Sequence, residues 1–139
     1  MSTNILIVDS DKGFSTILTE GLNTHPDFKA VASHSGTRAL KYMTEKPVDL
    51  VIIDMGISDI PPVKMVEVIK ANTTDVAIMI VPLMGQEAPE AVKKLGINGV
   101  IPKPFFVGDL PKLVGQALGL DIPGEEPEDP KPQPKDLHI

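Results

Sequence analysis

Four side chains stand where they could do chemistry together. Asp9 and Asp11 follow the apolar run Ile5–Val8, Asp54 follows the run Leu50–Ile53, and Lys103 lies just past Gly99–Ile101. Carboxylates brought close repel, and each raises the pKa of the next. A hard divalent cation relieves that repulsion, and Mg²⁺ takes one or two carboxylates together with water and phosphate oxygens. A lysine beside such a cation holds a phosphoryl oxygen as a point charge. These residue types therefore suit metal-assisted phosphoryl transfer, with a carboxylate as nucleophile. A single acid at a strand end is more often a helix cap or a solvated loop residue. The convergence of several strand ends is what favours a shared site.

That convergence needs elements to produce it. Five short apolar runs predict strands buried on both faces: Ile5–Val8, Phe28–Ala32, Leu50–Ile53, Ala77–Val81 and Gly99–Ile101. Helical stripes alternate with them. The first is Phe14, Ile17, Leu18, Gly21 and Leu22; the second Ala39, Leu40 and Met43; the third Met65, Val66 and Ile69. Ala88, Ala91, Val92 and Leu95 form the fourth, and Leu110, Leu113, Val114, Ala117 and Leu118 the fifth. Ser10 and Ser35 are the expected N-caps. Pro61 and Pro62 suit a first helical turn, and Gly96 a left-handed stop. Alternating strands and helices joined by short loops imply an α/β fold with a parallel sheet covered on both faces. In such sheets ligands collect beyond the carboxyl ends of the strands, where the acids and the lysine stand.

Composition narrows the function further. The 139 residues fit one domain with a single core. The net charge of -6 and the lack of a basic cluster argue against nucleic-acid binding. Cysteine is absent, which removes disulfides, thiolate metal sites and cysteine nucleophiles and fits a cytoplasmic protein. No apolar run approaches the ~18–20 residues of a membrane span. Of the charge, -4 falls from Asp121 onward, where five of the 14 prolines also lie. Residues 121–139 are therefore expected to be an acidic, Pro-rich disordered tail or a linker toward a further module, and the boundary is set near Leu120.

The motifs ILIVDSD, DLVIIDMG and VIPKPF, in this order and spacing, resemble the receiver domain of bacterial two-component response regulators, from about Asn4 to Leu120. The resemblance implies a doubly wound, flavodoxin-like sheet of five parallel strands in the order 2-1-3-4-5 with five helices. It implies that Asp54 is the phospho-acceptor, served by a sensor histidine kinase or phosphotransfer protein. Asp9 belongs to the Mg²⁺ pocket, Gly56 supplies a backbone carbonyl to the metal, and Lys103 contacts the phosphoryl oxygens. The Lys103-Pro104 bond is expected to be cis. Such a domain is not an enzyme in the ordinary sense and at most catalyses its own phosphorylation and dephosphorylation. An effector would use the face of the fourth helix, fifth strand and fifth helix, through Lys93, Lys94, Val100, Pro102 and Phe106.

The departures from the pattern are specific. Ser10 stands where receivers carry a second acid that ligates the metal directly, so weak Mg²⁺ binding is expected; Asp11 is one residue too late to replace it and could act only through water. Val81 stands where a Thr or Ser hydroxyl bonds the phosphoryl group, a loss on the order of 1.5–3 kcal/mol for a charge-assisted hydrogen bond. Val100 replaces the aromatic residue whose rotamer reports the state of the site. Ser58 and Pro62 stand where the loop after the acceptor usually has Pro and Gly. The expectation is a receiver with weakened or atypical switching; the alternative is a phosphorylation-independent pseudo-receiver acting as an interaction module. Asp9-Ser10-Asp11 also resembles the haloacid-dehalogenase phosphatases, but no later acidic pair supplies their metal site. Phe105 is expected in the core, His25 and His34 on the surface.

Overall fold

The computed structural model describes residues 2–122. Its elements are β1 (Thr3–Val8), α1 (Lys12–Asn23), β2 (Phe28–Ser33), α2 (Gly36–Glu45), β3 (Leu50–Asp54), α3 (Pro62–Asn72), β4 (Ala77–Val81), α4 (Glu90–Lys93), β5 (Gly99–Val100) and α5 (Leu110–Leu118), the last preceded by a 3₁₀ turn over Val107–Asp109. The strands form one parallel sheet in the order β2-β1-β3-β4-β5, the expected doubly wound topology. The proposed tail lies, from residue 123 on, outside the described residues.

The pleat divides the core in two. Ile5, Ile7, Leu50, Ile52, Met79 and Val81 face one side and pack on Leu18, Leu22, Leu110 and Val114 of α1 and α5. Leu6, Val8, Val51, Ile53, Ile78 and Ile80 face the other and pack on Ala39, Met65, Val66, Ile69 and Val92 of α2, α3 and α4. Because side chains alternate along a strand, Asp9, Asp54 and Lys103 continue the set that faces α1 and α5. One parity thus carries both the core and the chemistry.

Several local expectations change. Asp11, not Ser10, caps α1: its carboxylate accepts from Phe14 N–H at 3.0 Å. Ser35 caps α2 as expected, accepting from Arg38 N–H at 3.1 Å. The edge strand β2 is not buried on both faces, since Lys29 and Val31 are exposed. Its Ala30 is instead held from α1, where the Asn23 amide takes both the N–H (2.8 Å) and the C=O (3.1 Å). Ile17 of the first stripe is exposed and Ser15 takes the buried position. The fourth helix is a single turn, because Pro82, Gly85 and Pro89 break the segment before it, and Gly96 ends it with a φ of 87°.

Candidate functional site

β1, β3 and the segment after β5 deliver the site to the carboxyl edge of the sheet. Val8 pairs with Ile53, which sets Asp9 level with Asp54, and Asp54 pairs with Val81. Both acids are buried, Asp9 at 2% and Asp54 at 5% exposure, an expensive position for two carboxylates unless partners are supplied. Asp54 has them: Oδ2 accepts from Lys103 Nζ at 2.9 Å and Oδ1 from Gly56 N–H at 2.6 Å. Asp9 is only half satisfied. Its Oδ1 accepts from Asp11 N–H at 2.9 Å, whereas Oδ2 is buried with no partner. Burial is the main cause that raises the Asp9 carboxyl to about 6; the Asp11 N–H opposes it, Asp54 adds to it, and Lys103 lowers it again.

Lys103 is held from two further directions. Its ammonium lies 4.0 Å from the centroid of the Phe14 ring, and Phe14 meets Phe105 edge-on at 5.5 Å. The Lys103-Pro104 bond is cis. Across the loop after β4, Gly85 N–H reaches Lys103 C=O at 3.4 Å. In that loop Leu83 and Met84 are exposed, and Leu83 flanks Gly56.

The geometry fits a small hard cation. Asp9 and Asp54 supply two carboxylates at one edge, one with an unpartnered buried oxygen, and Mg²⁺ accepts such a set when water fills its remaining positions. Gly56 is at hand next to Asp54 for a backbone carbonyl. Asp11 is exposed, and one of its oxygens, Oδ1, accepts from Phe14 N–H at the start of α1. Among the described residues no group of three or more acidic or histidine side chains converges as a metal site. Ser10 is exposed. Val81 is fully buried, an apolar wall in register with Asp54. Val100 is partly buried and packs on the α2–α3–α4 side, away from the site.

Of the remaining candidates, Phe105 packs against the core as expected, whereas Phe106 is half exposed. His25 and His34 are of intermediate exposure, neither buried nor fully open; the His25 ring lies on Phe28 with centroids 4.6 Å apart. Sequence reasoning missed two features. One is Asp59, an exposed carboxylate that accepts from Gly36 N–H (2.9 Å) and from the N–H and hydroxyl of Thr37 (2.8 Å each), and is lowered to about 2 by those bonds. The other is the second use of Phe14. A cleft of about 720 Å³ by Thr3, Asp49 and Ala77 lies at the opposite end of the strands and holds none of the site residues.

The chain is similar to known proteins in sequence and in fold. Residues 5–115 match the family described as the response regulator receiver domain. The chain is 29% identical over 119 residues to a chemotaxis protein CheY of Rhizobium etli, covering 83% of this chain and 92% of that one. It is 26% identical over 121 residues to sporulation initiation phosphotransferase F of Bacillus subtilis, covering 86% and 97%. Among solved structures, a response regulator from Chloroflexus aurantiacus superposes with a TM-score of 0.77 at 23% identity, over 86% of this chain and 99% of that one, and so shares the fold. With two buried carboxylates and a lysine gathered at one edge of a 2-1-3-4-5 sheet, and with the family match running over residues 5–115, the chain belongs to the receiver domain family of two-component response regulators, the signalling modules of phosphorelays.

Proposed function

We propose that this chain accepts a phosphoryl group on Asp54 from a sensor histidine kinase or phosphotransfer partner, with Mg²⁺ as a weakly held cofactor. The observation that carries the reading is the buried Asp54 carboxylate with Lys103 at 2.9 Å beside an Asp9 oxygen that has no partner. In the transfer, an Asp54 oxygen forms a bond to phosphorus as the donor's P–N bond breaks. The electron pair stays on the imidazole nitrogen, and Lys103 remains an ammonium that balances charge on the phosphoryl oxygens. A cation held by Asp9, Asp54 and the Gly56 carbonyl would neutralise further charge there. Asp9, freed of its proton above its raised pKa, is the group that would receive it.

The switch is weakened in this reading. A phosphoryl group beside Val81 finds methyl groups instead of a hydroxyl, and Val100 is no aromatic reporter. That buried Val81 is also the observation favouring a second reading, a phosphorylation-independent module that acts by binding alone. In either case Lys93, Lys94, Pro102 and Phe106 are exposed for an effector, while Val100 is largely covered. Among the described residues no helix is long and apolar enough to cross a membrane, which is compatible with a cytoplasmic partner kinase domain. The test is intact-mass measurement after incubation with acetyl phosphate and Mg²⁺, with Asp54→Ala alongside. A gain of one phosphoryl mass in the parent chain alone is expected. No Asp54-dependent gain would leave only the binding module.

A further inference from the structure

We propose that Phe14 is a positioning residue for Lys103, its ring face fixing the ammonium where the phosphoryl group on Asp54 must be met; this rests on Asp54 being the acceptor. The ammonium has three donors, and Asp54 Oδ2 takes one of them at 2.9 Å. The Phe14 ring, 4.0 Å from Nζ by its centroid, takes a second direction. A lysine on a four-carbon stem has many rotamers of similar energy, so a point ion pair alone fixes its distance to the acid but not its bearing.

The ring itself is fixed. Phe14 lies one turn into α1 and packs on the core, and its edge contact with Phe105 is at 5.5 Å with the planes 70° apart. Phe105 lies two residues past Lys103, so the aromatic pair joins the start of α1 to the segment that carries the lysine. The lysine side chain is 17% exposed, and a ring on its flank keeps water off the ion pair, which strengthens it. The departures elsewhere raise the demand on this contact. With Ser10 and Val81 in place of a metal-ligating acid and a hydroxyl, the phosphoryl oxygens have fewer partners and depend more on a correctly aimed Lys103.

The experiment uses the full chain with acetyl phosphate and Mg²⁺. An Asp54 oxygen bonds to phosphorus, the P–O bond to acetate breaks, and acetate leaves with the electron pair. Phe14→Leu, which keeps apolar volume and loses the ring face, is expected to slow the initial rate of Asp54 phosphorylation by roughly two- to thirtyfold. Phe14→Tyr is expected to restore most of the rate. In a Lys103→Met background, Phe14→Leu is expected to have no further effect, which a merely structural role would not produce. A second readout does not require phosphorylation. In ¹³C-lysine-labelled chain the Lys103 side-chain protons, assigned by their loss in Lys103→Arg, are expected to shift upfield under the ring current. That shift should persist in Phe14→Tyr and vanish in Phe14→Leu. If the parent chain takes no phosphate, the acceptor reading fails by itself, and the placement of the lysine is judged on the resonance. Equal rates in Phe14→Leu and parent, an added loss in the Lys103→Met background, or unshifted Lys103 resonances would each overturn the proposal.

Discussion

Asp9 holds its proton to a higher pH than an ordinary aspartate because its carboxylate is buried with one oxygen unpartnered. The consequence for stability has a definite sign. Between the unperturbed 3.8 and about 6 the folded chain binds more protons at Asp9 than the unfolded chain, so stability falls as pH rises through that window. Above it the cost is complete, about 3 kcal/mol by linkage. Asp9→Asn removes the charge and keeps an oxygen for the Asp11 N–H. In metal-free buffer it is expected to raise the melting temperature by several degrees at pH 7.5, with the gain shrinking toward pH 4. Thermal melts across pH 4–8 check this; a gain that stays constant with pH would show that charge burial at Asp9 is not its source. Asp9 is thus a destabilising acid in the metal-free fold, as expected of a group held for a ligand in the proposed reading.

What the elements do was readable in the sequence where burial is two-sided and local. β1, β3 and β4 are unbroken aliphatic runs because helices cover both their faces, and the placing of Asp9 and Asp54 at the ends of β1 and β3 followed from that. β2 read as another such run, yet it lies at the edge, where Lys29 and Val31 alternate outward. The α1 cap is ambiguous in the sequence because Ser10 and Asp11 are both good capping residues, and only the chain's exit from β1 decides for Asp11. The bonds from Asp59 to the start of α2 cross more than twenty residues of sequence, so no local pattern announces them. Phe14 was readable as a core residue and not as a cation partner, since an apolar stripe looks the same for both. Gly21 is a similar case: it sits within the stripe, but the reason is the close approach of the 3₁₀ turn and the start of α5. A Cβ there would lie 2.9 Å from both Leu110 Cδ1 and Val107 Cγ1. Gly21→Ala gains helix propensity of roughly 1 kcal/mol but overpacks this contact by ~1–3 kcal/mol, so a net loss of about 1 kcal/mol is expected. Gly13→Ala on the same helix meets only Asp11 Oδ1 at 3.5 Å and is expected to stabilise. Opposite signs in paired denaturation curves support the account; a stabilising Gly21→Ala would refute the close approach.

The site and the whole fold are coupled, because the acids end strands whose other residues are buried on both faces of the sheet. Asp9 and Asp54 close the α1–α5 half of the core, and separating them requires opening β1 from β3. A small domain of this kind unfolds as a unit, so any ligand that binds the folded acids alone shows up in global stability. The proposed Mg²⁺ site can therefore be measured without a phosphodonor or a partner. At ten times the dissociation constant a cation adds about 1.4 kcal/mol, a rise of a few degrees in melting temperature for a domain of this size. The rise is expected to be larger at pH 7.5 than at pH 5, because a proton on Asp9, held up to about 6, competes with the cation. It is expected to disappear in Asp9→Asn and Asp54→Asn and to appear at lower Mg²⁺ in Ser10→Asp, which returns a carboxylate to the exposed start of the loop after β1. Calorimetric melts over a Mg²⁺ series at the two pH values distinguish the cases. A rise that survives in Asp9→Asn would put the cation elsewhere on this acidic chain, and an unchanged Mg²⁺ dependence in Ser10→Asp would mean that the serine is not what weakens the pocket.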